Sequence, residues 1–150
     1  MLRIYYILLV FILLHCSEKK DIYKIPLSSF NVGISLTKNH LFLREYKRYL
    51  VISSKENNEL ESLRLKDDNG TGANSYLYDA GERYIIIDCD GTWYSIDKES
   101  GRINLIGKFW MKLPPTTYLG TFSLTSTKHK VKFIKEENIK LNDIYKYGGG

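Results

Sequence analysis

Apolar and polar residues are arranged in short segments along most of this chain, a pattern typical of half-buried β-strands. Strand-like segments recur about every 8–12 residues, with turn signals between them. They lie at residues 32–36, 41–43, 49–52, 60–65, 76–78, 84–87, 93–96, 103–106, 118–124 and 131–134. No stretch keeps the apolar period of an amphipathic helix over three turns. The pattern therefore predicts an all-β domain, a single antiparallel sandwich, barrel or meander of about seven to ten strands.

Several local features refine this prediction. Residues 93–96 should pair back onto residues 84–87 around the tight turn at Asp90-Gly91. Residues 118–124 and 131–134 are the candidates for a last hairpin. The charged residues 44–48 are expected to connect two strands. Residues 136–147 could carry a turn or two of helix.

The first sixteen residues have a different pattern. Arg3 precedes an uninterrupted apolar run at residues 4–14, and Cys16 ends this region immediately before polar residues. A membrane-spanning helix needs about 17–25 residues, so the run is too short to span comfortably. It fits the apolar region of a signal peptide, whose usual length is about 7–15 residues.

The sequence Leu13-Leu14-His15-Cys16 resembles the lipobox of bacterial lipoproteins. The resemblance implies that Cys16 carries a diacylglycerol, that the chain is cut before it, and that acyl chains such as palmitate anchor the protein. Ser17 would imply the outer membrane, with the domain facing the periplasm or the cell surface. His15 departs from the small residue usual at its position. An ordinary secretory peptide, an uncleaved anchor and a buried N-terminal strand remain alternatives.

The domain organisation follows from this interpretation. We expect a signal peptide at residues 1–15, a lipidated tether at 16–21, a β domain at 22–147 and a flexible tail at 148–150. With 43% hydrophobic and 26% charged residues, the composition is that of a globular chain rather than a disordered one. The full length of 150 residues excludes a (β/α)₈ barrel, which needs about 200 residues or more.

Charge is distributed unevenly along the chain. The formal net charge is +5, but residues 54–99 hold 11 acidic and 5 basic residues, whereas residues 108–146 hold 3 and 8. These charges could neutralise one another in the fold or form an acidic and a basic face. The basic segment includes Lys128, Lys130, Lys132 and Lys135. We interpret these lysines as the solvent-exposed face of a strand, with an anionic binding partner as the alternative. We expect no nucleic-acid partner.

One motif suggests an enzyme. Asp88-Cys89-Asp90-Gly91-Thr92 follows an apolar strand and is similar to the first motif of haloacid-dehalogenase-type phosphatases. The resemblance implies that Asp88 is a nucleophile and Asp90 a general acid/base, both near Mg²⁺. That family has a doubly wound α/β domain, however, and only 58 residues of β-like sequence follow Thr92. We therefore favour a structural hairpin.

Other candidate chemistry is weak. The acidic turn at residues 67–70, with Asp79, could hold Ca²⁺ but lacks the twelve-residue loop pattern. His40 and His129 have no zinc-site spacing. If Cys16 is lipidated, Cys89 has no disulfide partner and is expected to be a small buried hydrophobe. No cofactor or metal is expected.

These observations favour a membrane-anchored lipoprotein of the cell envelope that acts by binding, with a possible protein partner. Two alternatives remain. The chain could be an immunity-type protein that neutralises a basic toxin through residues 54–99. It could also be a small Mg²⁺-dependent phosphatase that uses Asp88 and Asp90.

Overall fold

The computed structural model describes residues 20–40, 42–109, 112–115, 117–124 and 130–138, and these residues form two antiparallel β-sheets. The first sheet has the order β1-β2-β3-β4 and the second the order β10-β9-β5-β6-β7-β8. The strands are β1 (Lys20–Pro26), β2 (Asn31–Lys38), β3 (Tyr46–Ser53), β4 (Glu59–Arg64), β5 (Ala73–Asp79), β6 (Arg83–Asp88), β7 (Thr92–Asp97), β8 (Ile103–Lys108), β9 (Thr117–Leu124) and β10 (Val131–Lys135). The predicted all-β antiparallel fold is confirmed, and its architecture is that of a sandwich.

The main core lies between the two sheets. Because side chains alternate between the faces of a strand, every second residue of each central strand enters this core. The first sheet contributes Val32, Ile34, Leu36, Leu50 and Ile52, and the second contributes Leu77, Ile86, Ile96, Phe122 and Leu124, among others. Each such side chain stabilises the fold by about 1.5–3 kcal/mol on burial. The sandwich is therefore held mainly by non-directional apolar contacts.

The first sheet is strongly coiled. Lys20 of β1 and Glu59 of β4 belong to its two edge strands, yet their side chains form an ion pair of 3.3 Å. Ser35 and Ser53 point away from the main core on the intervening strands, and both are fully buried. The edges of the sheet thus approach each other over a lining of small residues.

The second sheet carries another apolar cluster on its outer face, which we call the aromatic cluster. It consists of Tyr76, Tyr78, Ile85, Ile87, Trp93 and Tyr118, with Phe109 packed against it. Phe109 and Lys112, which follow β8, lie against this face, with the Phe109 ring and the Lys112 Nζ atom 5.7 Å and 5.1 Å from the centroid of the Trp93 ring. Apolar side chains therefore pack on both faces of the sheet, which accounts for the continuous apolar run of β6.

The predicted hairpins are present, with small shifts. β7 pairs with β6, and β10 pairs with β9. The turn at Asp90-Gly91 is a three-residue loop, in which Gly91 adopts φ of 79° and its amide donates to the Asp88 carbonyl. A residue at positive φ in a three-residue hairpin loop is typically glycine.

Three other segments differ from expectation. Residues 44–48 are not merely a connection, because β3 begins at Tyr46. Phe42 and Leu43, which were expected in a strand, lie in the loop between β2 and β3. Lys20 and Asp21, assigned to the tether, are the first residues of β1.

The C-terminal part of the described chain ends in one short 3₁₀ turn, Glu136–Asn138. The rest of the segment expected to carry a helix, and the glycine tail, lie outside the described residues. Within the described ranges, no helix has the length and apolar character needed to cross a membrane.

Candidate functional site

The most concentrated chemistry in the described part of the chain is a buried charged cluster between the two sheets. We call it the Arg48 cluster, and it consists of Arg48, Asp88 and Ser75. Arg48 lies on β3 with the same orientation as Leu50, so its side chain enters the core. Asp88 ends β6 and is the cross-strand neighbour of Ser75 on β5. The cluster therefore joins one strand of the first sheet to two strands of the second.

The geometry of the Arg48 cluster is that of a bidentate ion pair. Nη2 of Arg48 lies 2.8 Å from Oδ1 of Asp88, and Nη1 lies 3.2 Å from Oδ2. Ser75 accepts a hydrogen bond of 2.6 Å from Nη2 and donates one of 2.7 Å to Oδ1. Nη1 also donates to the carbonyl oxygen of Lys66 at 3.1 Å. The guanidinium and carboxylate are thus matched in shape as well as in charge.

Burial makes this pair unusual. The side chains of Arg48 and Asp88 are 1% and 0% exposed, respectively. Burial by itself lowers the pKa of Arg48, but the adjacent Asp88 carboxylate outweighs it, so the pKa is raised above its ordinary value. Arg48 therefore stays protonated and charged inside the sandwich. A buried charge of this kind persists only when its partner and hydrogen bonds compensate for lost hydration.

The geometry bears directly on the phosphatase hypothesis. A nucleophilic carboxylate must reach a phosphoryl group, yet Asp88 has no exposed surface and its oxygens contact Arg48 and Ser75. Asp90 lies in the following turn, where it accepts from the Thr92 amide and pairs with Lys108 at 3.1 Å. This arrangement suits a structural role for both residues.

The pKa of Asp90 reflects that environment. Partial burial opposes ionisation, but hydrogen bonds from Thr92 and Lys108 outweigh it and lower the pKa below its ordinary value. A carboxyl group with a lowered pKa is a poor proton donor at neutral pH. This property does not favour the general-acid role that the motif suggested.

Cys89 lies between the two aspartates and is half-buried, so it is less buried than the sequence suggested. Its Sγ is 3.5 Å from Nη1 of Arg48. Burial raises the pKa of the thiol, Asp88 raises it further, and Arg48 opposes these effects only in part. The thiol is therefore mostly protonated at neutral pH, a state of low nucleophilicity.

The acidic residues considered for a cation site are not brought together. Asp67 pairs with Arg64 at 2.8 Å, whereas Asp79 pairs with Lys98 at 2.8 Å. Asp68 is buried, and its Oδ1 accepts from the Gly72 amide. In residues that the structure describes, no group of three or more His, Cys, Asp or Glu side chains is placed to hold a metal ion.

The remaining candidate residues divide between the surface and the undescribed segments. Lys130 immediately precedes β10, and Lys130 and Lys132 are exposed whereas Val131 is buried, as the predicted alternation requires at these three residues. His40 is exposed in the loop before β3. Cys16, Lys128 and His129 lie outside the described residues.

Arg48 itself was missed by sequence analysis, because it follows other charged residues and was assigned to a connection. Its spacing from Leu50 and Ile52 was the available signal, since residues two apart share one face of a strand. Its partners are 27 and 40 residues away in sequence, so their proximity depends on the sheet arrangement.

Comparisons with known proteins add no further assignment. No protein-family model, curated protein or solved structure matches this chain significantly.

Proposed function

We propose that this protein is a membrane-anchored bacterial lipoprotein of the cell envelope, attached through lipid on Cys16, whose β-sandwich acts by binding. The observation that carries the proposal is the position of the folded domain relative to the lipobox-like sequence. Among the described residues the first strand starts at Lys20, after Cys16 and the apolar run in the sequence. Residues from this strand onward supply both apolar clusters of the sandwich, and an export and anchoring signal gives the apolar run a role that does not depend on them.

The spacing also suits a lipid anchor. Three residues separate Cys16 from Lys20, and an extended chain covers at most about 3.6 Å per residue. The anchor would therefore hold the start of β1 within about 14 Å of the modified cysteine. Two or more acyl chains give stable attachment, whereas a single chain gives only marginal binding. A triacylated Cys16 would keep the domain at the membrane surface.

The proposed location is the outer membrane, with the domain facing the periplasm or the cell surface. A binding role agrees with the chemistry of the described residues. The most chemically distinctive group, the Arg48 cluster, is enclosed in the core, where its charges serve the fold. Binding would then use the surface of the sandwich.

Metabolic labelling with a palmitate analogue tests the anchor. The full-length protein should incorporate the label, and Cys16→Ser should abolish it and release the protein from the membrane fraction. Cys89→Ser is the matched control, because it removes the other cysteine and should leave labelling unchanged. Label retained in Cys16→Ser would contradict the proposal.

The immunity alternative depended on an acidic surface formed by residues 54–99, and the ion pairs reduce that surface. Five of its acidic residues pair with bases: Glu59, Asp67, Asp79, Asp88 and Asp90. Three of the paired bases lie outside this segment: Lys20, Arg48 and Lys108. The uneven charge therefore neutralises itself in part across the fold. Recovery of a basic toxin with the purified protein would nevertheless support that alternative.

A further inference from the structure

The loop between β2 and β3 presents two large apolar side chains to solvent. Phe42 is 88% exposed and Leu43 is 50% exposed. They are adjacent in sequence, and Arg44 follows them with an exposed side chain. Phe42 contacts His40, with ring centroids 6.4 Å apart, and neither apolar side chain joins the two core clusters. Adjacent exposed apolar side chains can mark a binding surface.

This loop lies close to where the chain enters the sandwich. Lys20, the first residue of β1, is paired with Thr37 near the end of β2. The strand ends at Lys38, and the loop follows. Phe42 is therefore five residues beyond the partner of Lys20, past the end of β2 that lies beside the start of β1.

Exposed basic residues lie near the apolar pair. Lys38 and Arg44 flank it and are exposed. Lys66 is also exposed and belongs to the β4–β5 connection, which lies against the loop because Asp68 pairs with Tyr46. These bases exceed the nearby acidic residues, since Glu45 adjoins Arg44 and Asp67 is already paired with Arg64. Apolar side chains beside an excess of lysine and arginine match the chemistry of an anionic lipid surface, which attracts bases and accepts apolar groups at the acyl boundary.

We propose that Phe42 and Leu43, with Lys38, Arg44 and Lys66, form a membrane-docking surface that inserts into the anionic bilayer to which the chain is anchored. The inference deepens the proposed function and rests on it, because the anchor brings this loop to the membrane. The short tether makes the contact effectively intramolecular, so a weak surface affinity is sufficient. The acyl chains would attach the protein, and the loop would orient it.

Site-specific labelling tests the docking surface. Leu43→Cys and Ala80→Cys, each in a Cys89→Ser background, form a matched pair because both positions are exposed loop residues. Ala80 lies in the β5–β6 turn, at the opposite end of β6 from Asp88, whereas the β2–β3 loop adjoins the end at which Asp88 binds Arg48. The full-length proteins are reconstituted into phosphatidylglycerol-containing vesicles and treated with a membrane-impermeant maleimide. Each rate is normalised to the rate in denaturing urea.

We expect the new cysteine at position 43 to react several-fold more slowly than that at position 80. Adding Phe42→Ser, or replacing the anionic lipid with phosphatidylcholine, should bring the two rates together. High salt should act in the same direction, since it screens Lys38 and Arg44. Equal rates in anionic vesicles would overturn the proposal. The cysteine at position 43 could instead be protected to the same extent in every lipid, and more strongly at higher protein density. That result would indicate contact with a second copy of the protein and would also overturn the proposal.

Mass spectrometry of the peptide that contains Cys16 separates this proposal from the anchor. An unmodified Cys16 would refute the lipid anchor alone. With Cys16→Ser added, so that no second thiol reacts with the maleimide, the same labelling comparison on protein mixed with vesicles would still decide whether the loop docks. Protection at position 43 without acylation supports the docking surface, and equal labelling at the two positions refutes it.

Discussion

Removing one side of the Arg48–Asp88 ion pair should destabilise the protein severely. In Arg48→Met, an apolar side chain of similar length replaces the guanidinium. The Asp88 carboxylate then keeps the hydrogen bond from Ser75 and a long one of 4.0 Å from the Cys89 thiol, but no cation. In Asp88→Asn, the shape is kept but the buried Arg48 loses its counterion. Breaking a buried pair in this way costs about 3–5 kcal/mol. The total stability of a domain is about 5–15 kcal/mol, so either change removes a large part of it.

The double variant Arg48→Met/Asp88→Asn distinguishes ionic coupling from simple loss of packing. With both charges gone, no uncompensated charge remains in the core, so the double variant should be no less stable than either single variant. The coupling free energy from the cycle should then be about 3 kcal/mol or more. A merely additive pair of effects would give no coupling.

Urea unfolding at neutral pH, followed by tryptophan fluorescence, measures these differences, because Trp93 is buried in the aromatic cluster. Arg64→Met is the matched control. It makes the same substitution in the exposed Arg64–Asp67 pair, and it should leave the midpoint nearly unchanged. The reasoning is refuted if Arg48→Met behaves like Arg64→Met, or if the two losses add in the double variant.

Two further predictions concern a turn and a surface ion pair. Gly101→Ala should cost about 1–3 kcal/mol more than Gly81→Ala, because both glycines have positive φ but an added Cβ meets Ile52 at 3.0 Å only at position 101. Equal losses in urea unfolding would contradict this. The hydrogen bond from Lys98 lowers the pKa of Asp79 in the folded protein. The pair therefore stabilises the fold fully at pH values above the ordinary carboxyl pKa of about 3.9. This stabilisation is lost as the pH falls through the lower pKa that Asp79 has in the folded protein. Asp79→Asn should therefore cost about 0.5 kcal/mol at pH 7 and nothing in strong acid. A difference that persists there would refute this assignment.

Much of the sheet structure could be predicted because its cause is local. The run at residues 84–87 and the turn after it predicted both β6 and its pairing with β7. By contrast, β1 (Lys20–Pro26) was not predicted, because it is an edge strand with mainly exposed residues and no strong alternation. An edge strand is defined by the neighbour to which it bonds, which its own residues do not reveal.

The candidate functional residues show even more clearly that a local sequence pattern does not reveal tertiary neighbours. Phe42 and Leu43 are apolar, so hydropathy alone predicted a strand, whereas the structure exposes them in a loop. Arg48 is charged, so hydropathy placed it in a connection, whereas it is buried by a partner 40 residues away. In both cases the environment is set by tertiary neighbours, which a local pattern does not contain. Cys16 could be nominated because the lipobox resemblance is contained in consecutive residues.

The two ends of the sandwich are held by different interactions. At one end, Gly101 in the turn after β7 packs against Ile52 of β3 and Phe30 of the β1–β2 loop, so the closure is apolar. At the other end, Arg48 links the sheets by a directional pair two residues after β3 begins. Apolar contacts tolerate small shifts between sheets, but a bidentate pair does not. Because the β2–β3 loop enters β3 at this end, the Arg48 cluster also fixes the base of the proposed docking surface relative to the second sheet.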